Sequence, residues 1–439
     1  MRKTPNHALS AQRCPVGLAD VELFAPGAQE HWYEAYPILH REAPVLRLPG
    51  EGLLPGTDGF ILSKYADIAF VVRDPERFPA TLSLAIAQLN APSPTPVRRP
   101  PPNAMLQSMA TLRPTDELYR SHRKELTDPW VGPGAVRHTA MITRTVDALI
   151  DGFVDRGEVE FVREFARPLP QRVMAEVLGF PREDIAQLEV WGNAQVKAFV
   201  YGRGHRNLLD EAALAEQTRL LEGFKDYVQA KVLEKRRRSS DDMISFLTQV
   251  TYEALGRKLT DLEINGVVYA MIIGGLETTQ YAIEEQAQLL CEHPDVFAEL
   301  KRDRSKLRQF VEEAMRLRSP TQGLSTRMTS RDEVFQGVAV PRGSLLHLRW
   351  GAGNVDPDEW ECPYDLDLAR RAVTRHLAFS QGPRVCPGAG ISRLEQTIAW
   401  SRLLDRIDTL EYAPGNTFEH QPGIMLGTLA LRLRFTKSV

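Results

Sequence analysis

The 439-residue sequence lacks long apolar runs, has few cysteines and carries almost no net charge, and each shortage removes a class of function. A helix that crosses a membrane needs about eighteen consecutive apolar residues, and none occurs. The basic start, MRKTPNHALSAQRCPVG, has no apolar stretch behind it of the kind a secretory signal requires. The expectation is a cytoplasmic protein with no membrane partner. With 54 basic against 57 acidic residues the formal charge is −3, which exerts no pull on nucleic acid. The cysteines, Cys14, Cys291, Cys362 and Cys386, form no C-x-x-C pair and no zinc-like spacing with histidine. There is no G-x-G-x-x-G element and no cysteine cluster of iron–sulfur type, so the chain carries no electron-delivery unit of its own.

What is present is an ordinary globular composition, 43% hydrophobic and 25% charged. HWYEAYPILHREAPV reads as a short helical stretch that Pro37 breaks or restarts and that closes before Pro44. Residues from about 116 to 317 are helical by apolar spacing, short strands follow after about 320, a helix returns from about 389 to 407, and a strand hairpin closes the chain. Lys235 to Arg238 read as a cationic helix end. No linker or repeat is visible. The prediction is one domain over 1–439, mainly α with small β-sheets. Between Ala91 and Pro114 stand seven prolines, which predicts no regular helix there. The span from about 84 to 114 is either a surface loop or a lid over a substrate pocket.

The strongest local signal is HLAFSQGPRVCPGAGISRLEQTIAW, in which Phe379, Gly382, Arg384, Cys386 and Gly388 follow the order F-x-x-G-x-R-x-C-x-G. A thiolate that ligates a metal must be stabilised as an anion, and the helix starting near Ala389 presents its N-terminus for this. Gly382 and Gly388 let the backbone bend tightly and approach a flat ligand. Phe379 can shield the sulfur from water, and Arg384 and His376 can reach anionic groups. This pattern resembles the haem-binding loop of the cytochrome P-450 family.

Other segments resemble the same family in the same order, from about Leu18 to the end. The helix around Gly274-Gly275-Leu276-Glu277-Thr278-Thr279 spends two mid-helix glycines, each costing roughly 1 kcal/mol relative to alanine. In the family a long distal helix opens beside the cofactor, and Glu277 and Thr278 match its acid–alcohol pair for proton relay. Glu313 and Arg316 match a buried E-x-x-R pair, with Arg370 as its third, structural member. Arg327 matches a propionate-binding arginine, and Asn354, Asp356 and Pro357 match a further segment in which Trp360 replaces phenylalanine. Where the family has His-x-x-x-Arg, counting back from Val131-Gly132-Pro133 leads to Arg120 and Lys124, while His122 and Arg123 fall in another register.

The resemblance implies haem b (iron protoporphyrin IX) held between a long distal helix and the proximal cysteine loop, with Cys386 on iron. It implies a monooxygenase that hydroxylates or oxidatively dealkylates a hydrophobic small molecule with dioxygen. Electrons would come from a ferredoxin or similar donor with its reductase, docked by basic residues such as Arg120, Arg123 and Lys124. Arg98 and Arg99 suit a carboxylate-bearing substrate, or are simply solvated. Candidate pocket walls are Leu84 to Leu112, Val196 to Tyr201, Ile272 to Leu276, Gly323 to Ser325 and Gly423 to Gly427. The alternatives are a peroxide-driven haem-thiolate enzyme, which would not need the Glu277–Thr278 pair, and a haem sensor or carrier without turnover.

Overall fold

In the computed structural model the described residues are 14–24, 27–81, 84, 104–200, 209–323, 326–421 and 423–438. Most are helical, and the strands form small sheets. The fold is therefore the mainly α arrangement expected from the helical periodicity between 116 and 317. Among the described residues no helix is long and apolar enough to cross a membrane.

A four-stranded sheet runs in the order Val45–Leu48, Gly59–Leu62, Leu345–Leu348, Thr326–Met328. Its central pair is parallel, with Gly59 opposite Leu345, and both outer pairs are antiparallel. Gly59–Leu62 and Leu345–Leu348 are buried along their whole length, as interior parallel strands must be. They pack with Tyr65, Ile68, Phe78 and Trp350 in one apolar cluster. The hairpin Ile407–Tyr412 and Arg432–Lys437 pairs at its other edge with Glu158–Glu160.

Two elements differ from expectation. Helix Trp32–Glu42 continues through Pro37, whose side chain sits in the second turn. The predicted helix-free stretch up to Pro114 contains a helix, Ala104–Thr111. After Pro102 the sequence AMLQSMAT has no proline and is made largely of good helix formers, so the local composition reverts. That helix packs tightly enough on Asp261–Gly275 that a Cβ on Gly266 would lie 2.6 Å from the Met105 carbonyl oxygen. Residues 85–103 of the proposed lid, with Arg98 and Arg99, lie outside the described residues.

The segment before the cysteine loop is held by a buried ionic cluster. Arg316 donates to both carboxylate oxygens of Glu313 at 2.8 Å, and Arg370 Nε donates to the same carboxylate at 2.7 Å. Arg316 also reaches the carbonyls of Asn354 and Pro363, each at 2.7 Å. The Asn354 side chain accepts from Leu377 N–H at 2.6 Å, and the Asp356 carboxylate accepts from Tyr65 N–H at 2.9 Å. Charges so deep are tolerable only because each is paired and its remaining donors are satisfied. The cluster fixes the backbone that leads to Cys386.

Candidate functional site

The cysteine loop forms because two glycines permit what other residues would resist. Gly382 has φ +71°, and a Cβ there would lie 2.6 Å from the Val72 carbonyl oxygen. Its role is to seat the loop against helix Tyr65–Arg73, outside the cavity described next. The turn then brings Cys386 N–H to the Phe379 carbonyl at 2.9 Å, before helix Ala389–Arg406 begins.

Cys386 lines a cavity of about 440 Å³. Gly388 lies beside it, and Gly274, Gly275 and Thr278 line the same space. Burial pushes the Cys386 thiol up, while the N–H groups of Gly388 and Ala389 and the charges of Arg123 and Arg393 pull it down. The sulfur is thus surrounded by donors and positive charge, a setting that would steady a thiolate bound to a metal cation. Phe379 packs with Cys386, Ala282 and Met315, and Arg393 lies over its ring at 4.4 Å.

The helix carrying the glycine pair is interrupted. It ends at Gly275 and restarts at Glu277, so the run Asp261–Glu292 is two helices meeting at Leu276. Thr278 Oγ1 donates to the Gly274 carbonyl at 2.6 Å, covering the carbonyl freed at the break. Gly275 is tight, since a Cβ there would meet Met174 at 2.9 Å, whereas a Cβ on Gly274 would meet nothing within 4 Å. Gly274 faces open space.

Glu277, though adjacent to Thr278, lines a different cavity of about 400 Å³ that also borders Arg167, Glu189, Lys197 and Gln280. Tyr281 donates to its carboxylate at 3.0 Å. Burial raises Glu277 to about 7, against the lowering effect of Tyr281 and Arg167.

One end of the first cavity is strongly cationic. Arg113, Arg327 and Arg384 line it together with Tyr119 and His122. Burial, reinforced by Arg384, lowers Arg327 to about 10. Arg384 Nε reaches Asp116 at 3.2 Å and lies over the Tyr119 ring at 4.6 Å. Arg113 donates to the Met109 sulfur at 3.0 Å and lies 5.0 Å from the Tyr119 ring centre. His122 is 2% exposed, neither ring nitrogen has a hydrogen-bond partner, and burial next to Arg113 and Arg123 lowers it to about 3. Glu395 also lines the cavity, and burial pushes its carboxyl well above the usual range, which disfavours its charged form.

Three expectations for anion-binding residues are corrected. Arg120 and Lys124 are exposed and lie outside the cavity lining. His122 occupies that place, while Arg123 turns to Val385 O at 3.1 Å and to Asp128. His376 is buried but faces Glu312 at 3.1 Å, with its Nδ1 accepting from Ala378 N–H. Hydrogen bonds from His376 and Arg393 overcome burial and leave Glu312 at about 2. His376 therefore braces the loop and does not line the cavity.

Arg113 and Tyr119 carried no sequence signal. Of the expected pocket walls, Met109, Ile273, Gly274 and Gly275 line the cavity, and Gly423 to Gly427 do not. Of Val196 to Tyr201, Lys197 borders the second cavity, and Pro320 and Thr321 line the first where Gly323 was expected.

The residues present fit a haem. Two cavity-facing glycines leave room for a flat group, a thiol with converging N–H donors supplies a metal ligand, and the excess of guanidinium over carboxylate calls for anions. The orphaned nitrogens of His122 add an unpaired donor at the cationic end.

A sequence model of the family described as Cytochrome P450 matches residues 208–435. The polyketide biosynthesis cytochrome P450 PksS of Bacillus subtilis is 31% identical over 62% of this chain and 64% of its own length. A biotin biosynthesis cytochrome P450 of the same organism is matched over 66% of its length, so the chain spans just under two thirds of these two relatives. The vitamin D(3) 25-hydroxylase of Pseudonocardia autotrophica is 28% identical over 91% of this chain and 92% of its own. Among solved structures, P450BioI in complex with a hexadecenoic acid-ligated acyl carrier protein is 25% identical, with TM-score 0.77 over 93% of this chain and 99% of that one.

Proposed function

Because the chain belongs to the cytochrome P450 family, we propose that it is a haem-thiolate monooxygenase acting on a mainly apolar small molecule. The overall reaction takes substrate, dioxygen, two electrons and two protons to hydroxylated product and water. The observation that carries the reading is the placement of the Cys386 thiol in one cavity wall together with the opened helix at Gly274–Thr278.

Haem, when bound, supplies the redox chemistry that activates dioxygen and is tuned by the thiolate. Cys386 holds the iron, Gly388 and Ala389 N–H groups steady its sulfur, and Phe379 keeps water from it. Arg113, His122, Arg327 and Arg384 hold the two carboxylates. Thr278 keeps the Gly274 carbonyl bonded and leaves the helix open at the site of reaction. Glu277 holds a proton near neutral pH in the second cavity and passes it toward the neighbouring Thr278, in the first turn of the same helix.

Met109, Met174, Ala270, Met271 and Ile273 make the first cavity largely apolar, which suits a hydrophobic substrate. P450BioI binds a fatty acyl group on a carrier protein; a carrier-linked substrate is one form the hydrophobic molecule can take here. Electrons come from a separate acidic donor of ferredoxin type. Arg120 and Lys124, exposed beside the loop that Tyr119 and Arg123 hold at Val385, suit its docking face.

The test is Cys386→Ala. The purified wild-type protein is expected to hold haem and give a thiolate-type carbon monoxide spectrum when reduced; the variant is expected to lose that spectrum. An identical spectrum from the variant refutes the assignment.

A further inference from the structure

Outside the haem cavity, the fold brings Cys14 alongside the pair His31 and Glu34. The ligand atoms of Cys14, His31 and Glu34 all lie within 4.8 Å of one another. Cys14 is partly buried, and His31 is 4% exposed. His31 directly precedes helix Trp32–Glu42 and Glu34 is in its first turn, so their i,i+3 spacing puts both on one face, with Nδ1 of His31 3.9 Å from the Glu34 carboxylate. Cys14 comes alongside because the chain after it turns through Leu18–Asp20, where Leu18 N–H donates to Glu42 at 3.2 Å.

We propose that Cys14, His31 and Glu34 bind a divalent transition-metal ion of the zinc class, with water as the fourth ligand. A thiolate, an imidazole and a carboxylate form a mixed set that suits zinc and disfavours calcium or magnesium, which take oxygen ligands. Tetrahedral bonds of about 2.0–2.3 Å place such ligands roughly 3.3–3.6 Å apart. The His31–Glu34 separation is already close to this, and side-chain rotation at Cys14 closes the rest. The thiol proton passes to solvent as the sulfur–metal bond forms.

The ion's role is to staple the N-terminal segment. His31 ends the short helix Ala28–His31, in which Gln29 donates to the Gly423 carbonyl and the Glu30 carboxylate accepts from His420 N–H at 2.9 Å. The same C-terminal loop bonds Gln322 N–H through the Ile424 carbonyl at 2.7 Å, next to the cavity-lining Thr321. An ion here therefore joins the start of the chain to the layer that supports the cavity wall.

The experiment uses untagged, full-length, haem-loaded protein, incubated with zinc sulfate and dialysed against metal-free buffer. Zinc is counted by mass spectrometry against haem iron, and its neighbours are read by X-ray absorption at the zinc edge. The expected result is about one zinc per chain with one sulfur neighbour, falling at least about tenfold in Cys14→Ser at unchanged haem content. Glu34→Gln is expected to keep the sulfur neighbour but to lose zinc at lower chelator concentration than wild type. Substoichiometric zinc in the wild type, zinc without a sulfur neighbour, or equal retention by Cys14→Ser overturns the proposal.

Discussion

Arg113 offers a test in which stability and cofactor retention move in opposite directions. Its recorded partners are weak ones for a guanidinium, the Met109 sulfur at 3.0 Å and the Tyr119 ring at 5.0 Å. Burial, with Arg384 as a further contributor, works against its charge. Replacing it with methionine removes a poorly compensated, partly buried charge while keeping much of the packing volume, a change worth about 1–3 kcal/mol of added stability to the cofactor-free protein. In the haem-loaded protein the same change removes a charge-assisted hydrogen bond to a carboxylate, worth about 1.5–3 kcal/mol. At about 1.4 kcal/mol per decade, haem dissociation should quicken roughly 10- to 150-fold. Calorimetry of the cofactor-free protein gives the first number, and haem transfer to an excess of apomyoglobin gives the second. If Arg113→Met melts earlier without haem and releases haem no faster than wild type, the cationic end of the cavity does not exist to hold carboxylates.

Glu277, raised to about 7, makes turnover depend on pH in a defined direction. The protonated fraction dominates below 7 and falls about tenfold per unit above it, so Glu277→Gln should slow product formation by roughly 10²–10⁴-fold and abolish that inflection. A full-rate variant with an unchanged profile rejects the relay. His420 lies between Glu285 at 3.4 Å and Glu30 at 3.7 Å, and these partners outweigh burial to raise it to about 9 from 6.5. A raised folded-state pKa stabilises fully below 6.5 and ceases to do so as pH rises through 9; the melting temperature should fall across that window, and His420→Gln should flatten the fall. Arg316→Met leaves the buried Glu313 carboxylate with Arg370 as its one remaining charged partner and the Asn354 and Pro363 carbonyls without their donor, at a cost of about 3–5 kcal/mol. With roughly 2.1 cal/mol/K of unfolding entropy for each of 439 residues, the melting temperature should drop by about 3–5 °C, with the carbon monoxide spectrum of the folded protein retained.

The residues that could be read from the sequence are those whose geometry is set by a short, contiguous stretch. Cys386 and Gly388 are placed by one turn before a helix, and Thr278 bonds Gly274, four residues back across the helix break. Glu313, Arg316 and Arg370 also follow a local spacing, closed by a single long-range contact. Arg113 could not be read this way. It stands between a helix ending at Thr111 and another starting at Asp116, and only the tertiary fold turns it toward the cavity. The same holds for Glu277: adjacency to Thr278 suggested a shared site, but successive positions around a helix point about 100° apart, and the two side chains border separate spaces.

Arg120 and Lys124 show how a backbone irregularity defeats counting. The expected positions were reached by counting the family's His-x-x-x-Arg spacing back from Val131-Gly132-Pro133. Helix Asp116–His122 is followed by a π-helical turn over Arg123–Thr127, with Asp128 N–H bonded to the Arg123 carbonyl. A π turn spends one more residue per turn than its neighbours expect, so every position before it is rotated relative to a count made from after it. The face toward the cavity and the cysteine loop becomes Tyr119, His122 and Arg123, spaced i, i+3 and i+4, and Arg120 and Lys124 turn to solvent. The displaced pair is still basic and still beside the thiolate loop, which is why the residues that fail as carboxylate ligands are the ones assigned to meet the electron donor. Reversing both charges should leave haem content intact while slowing donor-dependent reduction at low salt, and the difference from wild type should shrink as salt rises. If haem is lost instead, these side chains reach the cofactor after all and the rotation argument is wrong.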